Sequence, residues 1–314
     1  MILAEDENVA KLCETDNCKV VNSRKEYAQF LLQNPCANVF SSHRTVFVDQ
    51  QYSTQIKASI FRGVPIEGQF IRILNRNQSS KEVFSSVRTS AELFRKPDTT
   101  WVTPSSSAST KLSNLLGGPV SVVFNGIEVC AKRSKRLKRL NNELNCIVVS
   151  RLVDWKNIDW LMCVTKELPC RLKIFGEGPL NSYLKEKIAE KEFRHVRLMG
   201  HISNMNEIYS NADLLLHAAK HEAFGRVAIE AASFGVPSLV AKGTGISELV
   251  RGGQTGELFQ LDDESDFSAK FERIRSAYEL NSDTYFESCI RWAHNFDPSY
   301  SALGVLNLVE RLDA

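Results

Sequence analysis

Short apolar runs alternate with amphipathic stretches through the second half of the chain. The runs are four or five residues long and almost wholly apolar, which is typical of strands buried in a parallel sheet. Alternation of strand and helix at this spacing predicts a doubly wound α/β sheet, in which ligands bind at the carboxyl ends of the strands. The predicted strands are Cys146–Ser150, Leu172–Phe175, Val196–Met199, Leu214–His217 and Ser238–Ala241, and the predicted helices are Asn157–Glu167, Leu180–Glu190 and Arg226–Phe234.

The first half of the chain has a less regular pattern, which still predicts a smaller α/β domain. Its strand-like runs are bounded by polar residues, and two stretches have the apolar spacing of a helix. The predicted strands are Asn38–Ser41, Thr45–Val48, Thr100–Thr103 and Val120–Phe124, and the predicted helices are Arg24–Gln33 and Lys81–Phe94.

The length of 314 residues suits two domains of ordinary size. We place the linker near 130–145, where a basic stretch precedes the strand at Cys146. An apolar-periodic segment from Tyr300 to Leu312 predicts a terminal helix. The expected organisation is therefore an N-terminal domain over 1–143, a C-terminal domain over 144–296 and a terminal helix over 297–314.

Composition excludes several classes of protein. The formal net charge of +2 is too small to favour nucleic-acid binding. No apolar run reaches the roughly 20 residues of a membrane span, and the first residues carry acids where a signal peptide has its positive region. The eight cysteines lack zinc-site spacing and are expected to be buried thiols. We therefore expect a cytoplasmic protein, unless it sits on a membrane surface.

The segment from His221 to Pro237 carries the strongest indication of chemistry. Gly225 stands at the start of its helix, and Gly235 stands where a C-terminal cap is wanted. The start of a helix exposes free N–H groups and the positive end of the dipole, which together favour phosphate. Glu222 lies just before the helix and Glu230 lies within it. One carboxylate can therefore face a sugar beside the phosphate while the other reaches along the nucleotide.

With two glutamates eight positions apart around a Phe-Gly turn, this segment resembles the signature of glycosyltransferase family 4. Members of that family are retaining enzymes of the GT-B fold, with two Rossmann-like domains and a donor-binding cleft between them. The resemblance implies that Glu222 meets the hydroxyls of the donor sugar and that Glu230 holds the ribose hydroxyls. It further implies that backbone N–H groups at Phe224 and Gly225 approach the sugar and the diphosphate.

Two more stretches resemble the family and follow its order. Ser150–Asn157 is similar to the loop after the first strand of the C-terminal domain, and the resemblance makes Arg151 and Lys156 a clamp for the donor diphosphate. Fixed cations are needed there because the departing nucleotide carries several negative charges. Asn125-Gly-Ile resembles the family's Asn-Gly-Ile close to the domain junction.

Three glycine-containing turns complete the resemblance. Gly176, in Ile174–Pro179, stands where the family's chain passes near the nucleotide, and Ile202 ends a segment whose backbone often meets the base. The turn at Gly243–Glu248 leads to a glutamate, Glu248, near the phosphates, although Thr244 interrupts the family's usual pair of adjacent glycines.

The likeness fails at the start of the chain. Family members open with a strand, a glycine-rich loop and a helix that form part of the acceptor side, whereas residues 1–62 contain no glycine. A histidine from the first domain often lines the family's cleft, and His43 is the N-terminal candidate, with a surface or capping role as the alternative. His217 and His221 flank the signature segment, where His217 either faces the sugar or packs in the core.

Two charged stretches have a structural and a functional interpretation. The acids of Asp262–Asp266 are expected to cap a helix, and no metal site is predicted from them. The stretch 132–139 holds six cations in eight residues. It is either a solvated linker or a surface attracted to anionic lipid head groups, which would suit a lipid-linked acceptor.

The resemblance and the residues together predict a metal-independent hexosyltransferase without a cofactor, whose donor substrate is a nucleotide-diphosphate sugar. Its acceptor would be a glycan or a lipid-linked hydroxyl, in the synthesis of surface polysaccharide, lipopolysaccharide or glycolipid. A non-catalytic or defective nucleotide-sugar-binding relative is the alternative. A nucleotide-sugar epimerase fits the segment around Glu222 and Glu230 less well.

Overall fold

The computed structural model describes residues 2–4, 18–20, 39–41, 56–60, 100–116, 118–127, 129, 143–280, 283, 285–301, 303–304 and 307. The chain divides into two compact units, Met1–Val123 with Leu306–Ala314, and Phe124–Val305. The boundary between the two units follows Val123, earlier in the chain than the boundary predicted at residue 143. Most of the predicted linker lies outside the described residues.

The second unit is built on a six-stranded, wholly parallel sheet with the order β12-β11-β10-β7-β8-β9. Apolar side chains fill these short strands because both faces of a parallel sheet are covered. All five predicted strands are present: Leu214–His217 and Ser238–Ala241 match to the residue, and the other three differ by one or two residues at their ends. The sixth strand was not predicted. The strands are β7 (Leu144–Val149), β8 (Cys170–Phe175), β9 (Val196–Gly200), β10 (Leu214–His217), β11 (Ser238–Ala241) and β12 (Gly256–Phe259).

Helices connect and cover these strands. The three predicted helices are present, each slightly shorter than expected, as α2 (Ile158–Val164), α3 (Asn181–Ala189) and α5 (Arg226–Ser233). Three others are α4 (Met205–Tyr209), α6 (Glu264–Leu280) and α7 (Phe286–Ala293). Short 3-10 turns occupy Asp154–Lys156, Lys191–Phe193, Gly245–Leu249 and His294–Phe296.

The first unit contains a four-stranded parallel sheet with the order β3-β4-β5-β6 and a separate parallel pair, β1-β2. Its strands are β1 (Ile2–Ala4), β2 (Cys18–Val20), β3 (Val39–Ser41), β4 (Ile56–Ile60), β5 (Thr100–Thr103) and β6 (Val120–Val122). Three predicted strands are confirmed as β3, β5 and β6. The predicted strand Thr45–Val48 and the predicted helices Arg24–Gln33 and Lys81–Phe94 lie outside the described residues.

One helix of the first unit, α1 (Ser106–Leu116), was not predicted. Serine and threonine are poor helix formers and hide its pattern. The structure shows how it is stabilised. Ser105 Oγ accepts a hydrogen bond from the backbone N–H of Ala108 at 3.1 Å, and Ala108 and Leu112 form a buried i,i+4 pair.

The chain is helical again at 298–301, 303–304 and 307, where the predicted terminal helix begins. Pro298 stands in its first turn, and Asp297 Oδ1 accepts a hydrogen bond from Ser299 N at 3.0 Å. No helix among the described residues is long and apolar enough to cross a membrane.

The strand order places a topological switch point between β7 and β10. These strands are neighbours in the middle of the sheet, and the chain builds outward from them in opposite directions. Loops that leave their carboxyl ends diverge and open a crevice in which ligands of such sheets bind. The loops concerned are Ser150–Asn157 after β7 and Ala218–Gly225 after β10. They hold the residues that the sequence singles out most strongly.

Candidate functional site

The two loops at the switch point are joined through their backbones. Lys220 N donates a hydrogen bond to Trp155 O at 2.8 Å. The first loop then makes a 3-10 turn over Asp154–Lys156 and ends at Asn157, whose φ of 55° reverses the chain into α2. This turn directs Lys156 toward the second loop.

Lys156 and Glu222 form an ion pair between these loops. Lys156 Nζ lies 2.5 Å from Glu222 Oε2, and only 16% and 18% of the two side chains are exposed. Burial acts to raise the pKa of Glu222, but the neighbouring His217 ring and the Lys156 ammonium outweigh it and hold that pKa at about 2. Glu222 is therefore a carboxylate throughout the neutral range, with Oε2 engaged.

His217 ends β10 and is buried beside this pair. Its Nε2 lies 3.4 Å from Glu222 Oε2, and neither ring nitrogen forms a hydrogen bond with any described residue. Burial lowers the pKa of His217, and the adjacent Glu222 carboxylate acts in the opposite direction. The structure thus places His217 against Glu222, in the core rather than at the surface.

The backbone of Glu222 is held by the segment that follows β11. Gly245 N donates a hydrogen bond to Glu222 O at 2.8 Å and begins the 3-10 turn that carries Glu248. At Gly225 the backbone has a φ of +84°, and a Cβ there would lie 2.4 Å from Ile246 Cβ. A side chain at this position would therefore be strained and would collide with the supporting turn.

Glu230 lies in the middle of α5 with a partner that sequence reasoning missed. Tyr209 Oη donates a hydrogen bond to Glu230 Oε2 at 3.1 Å, and Arg226 Nε lies 3.6 Å from Oε1. The side chain of Glu230 is 17% exposed. The partner has no local signal because Tyr209 comes from another helix. The general rule that a nearly buried carboxylate accepts a hydrogen bond predicts that a donor exists, but it does not identify which residue supplies it.

Arg151 lies at the exposed start of the loop that holds Lys156, and it forms no hydrogen bond or ion pair with the rest of the described chain. The loop itself is held by the turn after β8, where Leu152 N donates to Glu177 O at 2.9 Å. Gly176 has a φ of +131°, and a Cβ there would lie 1.9 Å from Ser150 O. Close backbone packing thus accounts for this glycine, and its approach to a nucleotide stays a prediction.

The remaining predicted residues occupy distinct places. The Phe224 side chain is buried and packs against the rings of Phe124 and Phe296, at centroid distances of 6.1 and 6.3 Å, which leaves only its backbone for a ligand. Ile202 is half-buried just after β9. His221 is half-buried in the loop after β10, and His43 lies outside the described residues.

The acids at the start of α6 serve as a cap. Asp263 Oδ1 accepts a hydrogen bond from Asp266 N at 2.9 Å, as the sequence predicted. In the part of the chain that the structure describes, no cluster of three or more histidine, cysteine, aspartate or glutamate side chains could hold a metal ion.

This architecture is the GT-B fold. HepE of Anabaena, solved in complex with UDP, superposes with a TM-score of 0.71 over 94% of this chain and 86% of its own, at 16% identity. The lipopolysaccharide outer core galactosyltransferase WaaB superposes with a TM-score of 0.68 over 94% of this chain and 83% of its own, at 15% identity. At such low identity these likenesses show the fold alone.

The sequence comparisons relate part of the chain to glycosyltransferases. Residues 131–285, slightly less than half of the chain, match the family model described as glycosyl transferases group 1. An uncharacterised glycosyltransferase of Methanocaldococcus jannaschii is 24% identical over 195 residues, which are 61% of this chain and 53% of that protein. The match therefore spans about half the length of this curated relative.

Proposed function

We propose that this chain is a retaining glycosyltransferase of the family 4 type, which moves a hexose from a nucleotide-diphosphate sugar to a hydroxyl acceptor. The observation that carries the proposal is the Lys156–Glu222 ion pair at the switch point, directly before the start of α5. An ionised carboxylate, a cation and a helix N-terminus thus lie together where an α/β sheet of this topology binds nucleotides.

The donor would lie with its diphosphate between the cations and the helix start. Arg151 is exposed and unpaired among the described residues, so its guanidinium is available for a phosphate at little cost in lost contacts. Lys156 is already held by Glu222 and supplies a fixed charge near the bond that breaks. Both cations would stabilise the negative charge that grows on the departing nucleotide diphosphate.

The two glutamates would bind different parts of the donor. Glu222 has Oε2 engaged by Lys156, which leaves Oε1 to accept hydrogen bonds from hydroxyls of the sugar. Glu230 lies further along α5 and would accept hydrogen bonds from the ribose hydroxyls. Backbone N–H groups at Phe224 and Gly225 would approach the sugar and the diphosphate, Gly176 and Ile202 the nucleoside, and Glu248 the phosphates.

This assignment gives the positive charge of the reaction to the protein and requires neither a metal nor a cofactor. Turnover is therefore expected to persist in a chelator. If it vanished with chelation and returned with magnesium or manganese, the roles given to Arg151 and Lys156 would be wrong.

We further propose an acceptor and a cellular location for this enzyme. Surface polysaccharide, lipopolysaccharide or glycolipid synthesis at the cytoplasmic face of a membrane fits the basic stretch at 132–139, which suits anionic lipid head groups. The second candidate is a non-catalytic nucleotide-sugar-binding relative, favoured by the absence of glycine from residues 1–62. Slow hydrolysis of a donor by the purified protein would separate the enzyme from the binder.

The deciding test replaces each glutamate in turn. Glu230→Gln should weaken both a free nucleotide diphosphate and the sugar nucleotide, by roughly 10- to 150-fold for a lost charged hydrogen bond of about 1.5–3 kcal/mol. Glu222→Gln should leave the free diphosphate nearly unaffected, because that ligand has no sugar, and should depress turnover through poorer positioning of the reacting carbon. The measurements are calorimetric affinities and a turnover assay.

A third glutamate in the same unit provides the control. Glu257 is buried, and its Oε1 lies 3.2 Å from Arg273 Nε. It is the second residue of β12 and so precedes the carboxyl end of the strand, where ligands of such sheets bind. Glu257→Gln should lower thermal stability without changing either affinity. Equal and small effects of all three variants on both ligands would mean that the carboxylates only support the fold.

A further inference from the structure

The carboxylate of Glu230 is held by a tyrosine from a different helix. Tyr209 is the last residue of α4, its side chain is fully buried, and its hydroxyl donates to Glu230 Oε2 at 3.1 Å. Burial and the adjacent carboxylate raise the pKa of Tyr209 well above its ordinary value. The hydroxyl therefore keeps its proton at neutral pH and remains a donor.

The ring of Tyr209 is itself fixed against the helix that carries Glu230. It stacks on Phe234 with the ring centroids 5.5 Å apart and an angle of 27° between the planes. Phe234 is the C-terminal cap residue of α5 and is also buried. Because Tyr209 contacts α5 at both places, its hydroxyl has little freedom to move relative to the carboxylate.

The contact leaves the two oxygens of Glu230 in different states. Oε2 accepts the tyrosine hydrogen bond, whereas Oε1 lies 3.6 Å from Arg226 Nε, beyond hydrogen-bond length. Arg226 is 63% exposed, so its side chain is poorly restrained. One oxygen is thus fixed in the protein while the other can accept from a ligand.

We infer that Tyr209 is a positioning residue for the nucleotide, which holds Oε2 of Glu230 so that Oε1 is presented to the ribose hydroxyls of the donor. A carboxylate fixed before the ligand arrives loses less rotational freedom on binding, and this improves affinity. The inference rests on the proposed function, because it requires Glu230 to meet the ribose.

The test removes only the hydroxyl and measures whether the loss depends on the ribose. Tyr209→Phe keeps the ring on Phe234. Calorimetry with UDP, ADP and GDP identifies the tightest of the three, which is then compared with its 2′,3′-dideoxy analogue. Tyr209→Phe should weaken the ribose-containing ligand by about threefold to tenfold, less than a direct charged hydrogen bond would. The dideoxy analogue should lose less than about twofold, since it cannot use Oε1.

A matched variant removes a buried tyrosine hydroxyl elsewhere in the same unit. Tyr278 Oη donates to Asp213 O at 2.8 Å, and the Tyr278 side chain is also buried. Tyr278→Phe should lower the unfolding temperature without changing the affinity for either ligand. If Tyr209→Phe behaved in the same way, or weakened both ligands equally, the tyrosine would be structural and the inference overturned.

Glu230→Gln separates failure of the inference from failure of the proposed function. If Glu230→Gln leaves the affinity for UDP, ADP and GDP unchanged, the ribose role of Glu230 in the proposed function is wrong, and the inference is overturned with it. If Glu230→Gln weakens binding while Tyr209→Phe binds like the unmodified protein, the proposed function stands and only the role of Tyr209 is overturned.

Discussion

The Lys156–Glu222 pair illustrates how a single contact can serve both stability and chemistry. Both side chains are largely withdrawn from water, so either charge left alone would be costly, and removal of one partner is more damaging than at a surface pair. The same neutralisation keeps Glu222 ionised although it is buried. A carboxylate that stays ionised can accept hydrogen bonds from sugar hydroxyls without first losing a proton.

At the residue scale, this pair predicts a specific dependence of stability on pH. The pKa of Glu222 is about 2 in the folded protein, against about 4.3 for an unperturbed glutamate. Its stabilising contribution is therefore fully present above about pH 4.5 and is lost as the pH falls toward 2. The unfolding temperature of Glu222→Gln should lie below that of the unmodified protein at pH 6, and the gap should narrow by pH 2.5.

The exposed pair Lys166–Glu192, with 2.9 Å between Nζ and Oε2, is the control for this measurement. Glu192→Gln should give a much smaller gap at pH 6, because solvent screens an exposed pair. A gap for Glu222→Gln that is unchanged between pH 6 and pH 2.5 would show that the ionised carboxylate contributes nothing.

At the scale of elements, the start of α5 is where backbone geometry limits the sequence most tightly. Gly225 has a φ of +84° and would bring a Cβ within 2.4 Å of Ile246 Cβ. Gly243 has a similar φ of +80° but nothing within 4 Å of a Cβ. The two glycines therefore share a left-handed backbone conformation and differ in the space that a side chain would have.

Alanine substitution of each glycine separates these two effects. Gly243→Ala should destabilise by about 1–2 kcal/mol, the cost of a left-handed conformation with a side chain. Gly225→Ala should lose about 1–3 kcal/mol more, because the turn that supports Glu222 must shift, and donor turnover should fall with it. Denaturant unfolding measures both. Equal losses for the two variants would show that the turn at Ile246 yields without cost.

The elements that were predicted from the sequence are those with a local pattern. The strand Leu214–His217 and the helix start at Gly225 are marked by an apolar run and by glycine, and both lie where predicted. Helix α4 spans only Met205–Tyr209, too short to show periodicity, and α1 is hidden by its serines. A contact between two helices, such as the hydrogen bond from Tyr209 to Glu230, cannot be predicted in this way, because no local sequence pattern specifies which residues will meet in the fold.

At the scale of the whole molecule, the distribution of charge along the chain bears more on binding to an anionic membrane than the net charge does. The stretch 132–139, which lies outside the described residues, holds six cations in eight residues. Taking these six from the formal net charge of +2 leaves −4 for the rest of the chain. An anionic surface would therefore attract this stretch and repel the remainder, so that any contact with lipid should depend on this stretch alone.

Binding to anionic vesicles tests this dependence. Replacing Lys132, Arg133, Lys135 and Arg136 with glutamine should weaken sedimentation with vesicles of phosphatidylcholine and phosphatidylserine. Each charge near the surface contributes roughly 1 kcal/mol, so the affinity should fall by more than about tenfold. The control changes net charge equally by replacing four exposed and scattered cations with glutamine: Lys185, Arg197, Lys242 and Arg291. If the control variant lost as much vesicle binding as the test variant, general charge would be responsible, and if neither lost any, the stretch would be a solvated linker.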